Sequence, residues 1–226
     1  MLTLGPYTLG PNDTPENGVY VGDARELARA IPDESVDLIF TDPPWDNNSV
    51  VLYDDLAQMA IRILKPGSLV FAYTGNDWLP RIMQAMSNAG LSWLRMFAGI
   101  QLASNNRYFR KRLFVKWRPI VVYVKGEYNP KSWLPDALPT NRDKRYHPRG
   151  QGAKPVLRWI QNASPPNAIV LDPFVGGGTF IAVCKMLSRR FLAFDIDSSA
   201  ADIARQHVRD TQPPLFVLKP KQGDLL

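Results

Sequence analysis

The chain has 226 residues, 45% of them hydrophobic, which suits one domain with at most a modest insertion and allows a full core. No apolar run approaches the length of a bilayer span, and the first residues lack the basic-then-apolar pattern of a secretory signal. A formal charge of +6 suits a polyanionic partner without requiring one, while one cysteine, Cys184, excludes an internal disulfide and, with two histidines, argues against a structural zinc cluster.

Residues 1–17 read as an irregular lead-in. Val19–Val21 is a short strand, and Asp23 can cap a helix over Ala24–Ala30 with Glu26 at the capping-box position. Val36–Thr41 is an apolar strand that ends in Asp42-Pro43-Pro44-Trp45. A helix over Leu52–Leu64 stops at Lys65-Pro66-Gly67, and the strand Ser68–Thr74 and the helix Trp78–Ala89 follow. Leu91–Leu102 and Trp117–Lys125 read as strands. Between Gly126 and Gly152 prolines, Asn and charges predict a loop or small insertion. Order returns with the helix Pro155–Ala163, the strand Ala168–Leu171, the helix Thr179–Leu187 with Cys184 in its core pattern, the strand Phe191–Phe194 and the helix Ala200–Val208. Strands alternating with helices predict a mostly parallel α/β sheet.

Asp42-Pro43-Pro44-Trp45 sits where open α/β sheets bind ligands, at the carboxyl end of a buried strand. Two prolines fix φ and remove two donors, leaving a rigid turn rich in acceptors. An exocyclic amine on adenine or cytosine is a poor nucleophile because its lone pair is delocalised into the ring. Two acceptors, the Asp42 carboxylate and the Pro43 carbonyl, would draw its nitrogen toward tetrahedral geometry, favouring the transition state over the ground state. Trp45 would stack on the base, which must leave a duplex to get there. The plain alternative is a stiff turn with Trp45 as a core plug.

Asp172-Pro173-Phe174-Val175-Gly176-Gly177-Gly178-Thr179 is a strand, a glycine turn and a helix start. Asp195, at the end of the next strand, is positioned to accept hydrogen bonds from a ribose diol. Ile181 stands where a dinucleotide fingerprint needs a small residue, and no Gly-Lys-Ser/Thr follows, which disfavours a dinucleotide and a P-loop phosphate. S-adenosylmethionine remains; glycines that serve only helix–sheet packing are the even alternative.

Residues 107–118 interleave Arg107, Arg110, Lys111, Arg112, Lys116 and Arg118 with four aromatics. Such a segment can meet phosphates and stack on bases; alternatively it is a surface strand whose aromatics face the core. Lys131, Arg142, Lys144, Arg145 and Arg149 add charge to the loop that follows. His147 and His207 read as a structural and a surface residue.

Taken in order, these segments resemble the β-class amino-methyltransferases that act on adenine N6 or cytosine N4 of DNA, in which a D-P-P-Y/W segment precedes F-x-G-x-G. The resemblance rests on Asp42–Trp45, Phe174–Gly178, Gly22-Asp23-Ala24, His147-Pro148 with Lys154-Pro155, and Phe194-Asp195-Ile196-Asp197, and spans roughly 18–208. It implies a Rossmann-like S-adenosylmethionine-dependent methyltransferase fold of seven strands, mostly parallel with one antiparallel, in a single domain with a small target-recognition insertion at about 103–152. It implies cofactor contacts from Asp23, Ala24, Lys154, Asp172, Phe174, Gly176, Gly178, Thr179 and Asp195 and catalysis at Asp42, Pro43, Pro44 and Trp45; the loop that holds Arg145 lies where this family often places target recognition, and the basic residues of 107–118 remain candidate DNA contacts on their composition. Trp45 replaces the commoner Tyr, and Asp rather than Ser at position 42 points to adenine. The expected setting is the cytoplasm of a bacterial, archaeal or phage-infected cell, with DNA ranked ahead of RNA and a homodimer left open. RNA adenine methylation, cytosine N4 methylation, a non-catalytic nucleic-acid-binding subunit and methylation of a protein glutamine are the competing readings, the last disfavoured by motif order.

Overall fold

Strands that are apolar at nearly every position need cover on both faces. In Pro119–Val124 every residue is buried, as are Leu38, Ile39, Phe40 and Thr41 of the strand that precedes Asp42. Helices supply that cover. The computed structural model describes residues 2–4, 7–9, 18–45, 49–101, 104–130, 132–141, 145–146 and 151–212. In chain order these form β1 (Leu2–Leu4), β2 (Tyr7–Leu9), β3 (Val19–Val21), α1 (Ala24–Leu27), β4 (Val36–Thr41), α2 (Val50–Ile63), β5 (Leu64–Tyr73), α3 (Leu79–Asn88) and β6 (Ser92–Ile100). Next come β7 (Arg107–Tyr108), β8 (Leu113–Phe114), β9 (Trp117–Val124), β10 (Ala137–Pro139), α4 (Ala153–Ala163), β11 (Ile169–Asp172), α5 (Thr179–Met186), β12 (Arg190–Asp195) and α6 (Ser198–Asp210).

Among the described residues the main sheet has eight strands in the order β10-β6-β9-β5-β4-β11-β12-β3. Only β9 runs antiparallel to its neighbours, β5 and β6. Side chains alternate along the strands, so Val70 and Ala72 of β5 pack with Tyr53, Leu56, Ile82 and Met86 of α2 and α3. Leu69, Phe71 and Tyr73 face the other way, into a cluster with Val156, Trp159 and Ile160 of α4 and Val183 and Cys184 of α5. Ala201, Ala204 and Val208 of α6 close a third cluster against Val19 and Ala193. The result is a three-layer α/β/α domain in which β3, β4, β11 and β12 are parallel and end at one edge. Among the described residues no helix is long and apolar enough to cross a membrane.

Four expectations need correction. The lead-in is not wholly irregular: β1 and β2 form an antiparallel pair, Leu2 opposite Leu9. Lys65, Pro66 and Gly67 do not separate helix from strand but lie within β5, where the β4–β5 register shifts between Val36 and Leu38. The 126–152 stretch contributes β10, which adds an eighth strand parallel to β6; its proline ends the strand at a sheet edge, where one missing donor costs little. The insertion assigned to 103–152 is not continuous, because β9 is an interior strand and divides it into a hairpin, β7–β8, and the stretch after Gly126. The tail prolines Pro213, Pro214 and Pro220 lie outside the described residues.

Candidate active site

The four parallel strands place their C-terminal turns side by side: Asp42 after β4, Pro173 after β11, Ile196 after β12 and Gly22 after β3. With strands about 4.8 Å apart, the ends of β4 and β12 are roughly 10 Å from each other. A cavity of about 760 Å³ opens along this edge, a volume in the range of small-molecule sites. Asp42, Pro43, Pro44, Trp45, Arg118 and Gln151 line one part of it; Gly22, Asp23, Ala24, Asp195 and Ile196 another; Phe174, Gly176, Gly177, Thr179 and Phe180 also line it.

Side-chain hydrogen bonds fix these turns to one another. Thr41 Oγ1 donates to Asp172 Oδ1 at 2.8 Å, and the Phe174 amide donates to the same oxygen at 3.2 Å, so Asp172 joins the Asp42 turn to the glycine turn. Asp195 Oδ2 accepts from the Gly176 amide at 2.9 Å and its Oδ1 from the Asp197 amide at 3.0 Å, which pins the glycine turn to the end of β12. Asp23 caps α1 by accepting from the Arg25 amide at 2.9 Å and pairs with the Arg25 guanidinium, which holds its carboxyl below the usual range. Asp42 Oδ2 accepts from Gln151 Nε2 at 2.7 Å. Trp45 carries the Arg118 guanidinium 4.8 Å from its ring centroid, and Phe180 stacks on Tyr73 with centroids 5.9 Å apart.

Asp42, Pro43, Pro44, Trp45, Asp23, Ala24, Phe174, Gly176, Thr179 and Asp195 are therefore brought together. Asp172, Gly178 and Lys154 are not. Asp172 is 1% exposed and lies behind the cavity wall. Lys154 is exposed near the start of α4, away from the lining. Gly178 has φ +74, and a Cβ there would lie 2.8 Å from the Ala204 Cα, so it allows α5 to meet α6. Gly176, at φ +46, is different: a Cβ there would meet nothing within 4 Å, so the space beside its backbone is open to a ligand. Gly178→Ala is accordingly expected to lose roughly 2 kcal/mol or more of stability. Gly176→Ala should cost about 1 kcal/mol while lowering cofactor affinity. Urea unfolding of the two variants checks this, and equal midpoints would contradict it.

Of the basic residues, Arg107, Arg110, Lys111 and Arg112 are exposed on the β7–β8 hairpin. The aromatics there do not face the core: Phe109 is 78% exposed and Phe114 61%. Lys116 donates to the Ser104 carbonyl at 2.7 Å. Arg118 corrects its assignment: at 7% exposed, against Trp45, it lies inside the cavity rather than on a phosphate-facing surface. Arg145 is exposed over Tyr146, which stacks on His207 of α6 with centroids 3.9 Å apart. His207 in turn is half-buried, not a plain surface residue, and its Nδ1 lies 2.8 Å from the Gly177 carbonyl. Lys131, Arg142, Lys144, His147, Pro148 and Arg149 lie outside the described residues. Sequence reasoning missed Gln151 and Ile196. Ile196 is 75% exposed yet lines the cavity, and an isoleucine beside the strand-end Asp195 was the available signal.

Burial pushes the Asp172 carboxyl up to about 8, with the Asp42 and Asp195 charges adding to it against the lowering effect of the Thr41 and Phe174 hydrogen bonds. Folded Asp172 thus keeps its proton where the unfolded chain, titrating near 4, has lost it. Its contribution to stability is full below about pH 4 and declines as pH rises toward 8. Asp172→Asn should remove that decline, so the variant should be at least as stable as the parent at pH 8. An equally steep fall between pH 5 and 8 in the variant would contradict the assignment.

The DNA methylase family matches residues 122–206, a span that holds the glycine turn and Asp195 but not Asp42. The type II methyltransferase M.HinfI of Haemophilus influenzae is 25% identical over 249 residues, covering 87% of this chain and 69% of its own. Among solved structures, the PvuII DNA methyltransferase (cytosine-N4-specific) superposes with a TM-score of 0.75 at 20% identity, covering 86% of this chain and 87% of that one. The M1.HpyAVI–SAM complex does so with 0.70 at 22% identity, covering 84% and 98%. The sheet order and the cavity at its carboxyl edge define a Rossmann-like methyltransferase fold. Within that class, the chain is similar to the DNA methylases, through the family match over residues 122–206 and through curated type II methyltransferases at 25–26% identity.

Proposed function

We propose that this chain transfers the methyl group of S-adenosylmethionine to the exocyclic amine of a base flipped out of DNA, with adenine N6 as the target. The observation that carries the reading is that the Asp42-Pro43-Pro44-Trp45 turn and the Gly176 turn line one cavity and are joined through Thr41 and Asp172. The residues fit the cofactor: an open backbone at Gly176, a carboxylate at Asp195 for two ribose hydroxyls, and the exposed apolar face of Ile196 for an adenine ring. S-adenosylmethionine supplies there a methyl group made electrophilic by its sulfonium, with no need of a metal.

The protein's part is to make the amine a nucleophile. The Asp42 carboxylate and the Pro43 carbonyl accept hydrogen bonds from its two N–H groups and localise the lone pair; both bonds strengthen as positive charge grows on nitrogen, and the carboxylate is placed to take the one proton that the methylated nitrogen loses. Gln151, donating to Asp42 Oδ2, fixes the carboxylate rotamer. Trp45 stacks on the base, its ring held by the Arg118 guanidinium. Asp at position 42, where the family resemblance associates Ser with cytosine, supports adenine. Cytosine N4 is the second reading, favoured by the fold shared with the cytosine-N4-specific PvuII enzyme.

Arg110, Lys111 and Arg112 give the chain a basic prominence for the phosphate backbone. Neutralising all three should reduce the slope of log K against log salt by roughly two to three; an unaltered slope would remove the hairpin from the DNA interface. The reading as a whole is tested by incubating the chain with methyl-labelled cofactor and duplex DNA, single-stranded DNA or RNA in parallel. Label should enter duplex DNA preferentially, and label entering RNA alone would overturn the DNA assignment.

A further inference from the structure

The tip of the β7–β8 hairpin is built unlike an ordinary surface turn. Phe109–Lys111 forms a single 3₁₀ turn, closed by the Arg112 amide donating to the Phe109 carbonyl at 3.2 Å, with Arg112 left-handed at φ 53. Of the aromatics on the hairpin, Tyr108 lies under Lys111, 4.9 Å from the ring centroid, and Phe114 faces Arg107 and Lys116 at 5.5 and 5.9 Å. Phe109 has no such partner among the described residues and is 78% exposed, between Tyr108 and three successive cations. An isolated chain gains nothing from a phenylalanine held out in water at this position.

The topology aims this tip at the same side of the sheet as the cavity. Because β9 is antiparallel, its first residue, Trp117, lies at the edge where β4 and β5 end, and it pairs with Ile100 at the end of β6. The hairpin therefore rises from the carboxyl edge. An ion pair of 2.9 Å from Lys111 Nζ to Asp77 Oδ1 ties it to the turn after β5. That turn begins beside Gly75, where a Cβ would lie 3.5 Å from the Trp45 Cβ. The tip is thus anchored to the backbone that backs Trp45.

We propose that Phe109 is a wedge that enters the base stack of duplex DNA and occupies the gap left by the flipped base, while Arg110 and Arg112 meet the flanking phosphates. The inference rests on the DNA-base reading above. Extruding a base costs its stacking on both neighbours, a loss that an inserted aromatic ring partly restores. The cations that follow the ring, Arg110 to Arg112, bring it to the backbone and match the charge of the partner.

The test compares Phe109→Ala with the parent chain in single-turnover methylation of two duplexes. One is fully paired; in the other the target base lies opposite an abasic site, where extrusion is already easy. On the paired duplex the variant should be slower by roughly tenfold or more. On the abasic-opposed duplex it should approach the parent, and Phe109→Trp should recover the paired-duplex rate. Equal losses on both duplexes, or no loss on either, would overturn the wedge. So would a change of oligomeric state in sedimentation, which would assign the tip to a second copy of the chain. A parent chain inactive on both duplexes would instead sink the underlying reading and the wedge with it.

Discussion

Replacing Asp42 by alanine is expected to lower methyl transfer by roughly three orders of magnitude while leaving cofactor affinity close to that of the parent. Asp42 lines the part of the cavity formed by the Pro43–Trp45 turn, Arg118 and Gln151, whereas the hydrogen bonds to the glycine turn come from Asp195 and Asp172 and not from the Asp42 side chain. The variant removes an acceptor whose hydrogen bond strengthens only as the amine acquires charge, so the loss should fall on kcat rather than on binding. Removing the carboxylate also strands the Gln151 side chain, which is 4% exposed, so a modest loss of stability is expected as well. Calorimetric titration with cofactor and single-turnover rates separate these effects. A near-native rate would refute the role of Asp42, and a collapse of cofactor affinity would mean that its side chain also supports the cofactor turn.

Asp195→Ala should do the reverse, weakening cofactor binding roughly 30-fold or more. The Asp195 carboxylate accepts from the Gly176 and Asp197 amides, which sets the shape of the glycine turn, and it lines the cavity; in the proposed reading its remaining lone pairs would accept from a ribose diol. Losing it removes hydrogen bonds to a charged group and leaves two backbone donors to find water. At saturating cofactor the rate should recover toward the parent, because Asp42 and Pro43 are untouched. Unchanged affinity in calorimetry would count against the ribose assignment.

The layered α/β plan was legible because strand and helix periods alternate from Val19 to Asn88 and again from Ala153 to Asp210, and apolar runs such as Val36–Thr41 have one stable fate. The two chemical turns were legible for a related reason: Pro-Pro and triple Gly restrict or free the backbone so strongly that they mark strand ends by themselves. What escaped the sequence depends on contacts between distant residues. Gln151 meets Asp42 across 109 positions, and no local pattern distinguishes it from a loop glutamine. Asp172 and Asp195 both end strands, yet one is sealed behind Thr41 and the other faces the cavity. Gly176 and Gly178 differ only in what lies beyond them, open space for one and Ala204 for the other. Arg118 looked like its basic neighbours, but it falls in β9 rather than on the hairpin and so turns into the protein. The β10 strand, Ala137–Pro139, is three residues with a proline, too short to carry a period, and it forms because β6 offers an edge.

The central claim is that one cavity brings a methyl donor to an amine gripped by Asp42 and Pro43. It is tested most directly by digesting DNA methylated by the purified chain to nucleosides and identifying the product by mass. N6-methyldeoxyadenosine, formed by the parent chain and absent with Asp42→Ala, is the predicted result. Unmodified DNA nucleosides from a chain that binds the cofactor, or a methylated product that survives the loss of Asp42, would contradict it.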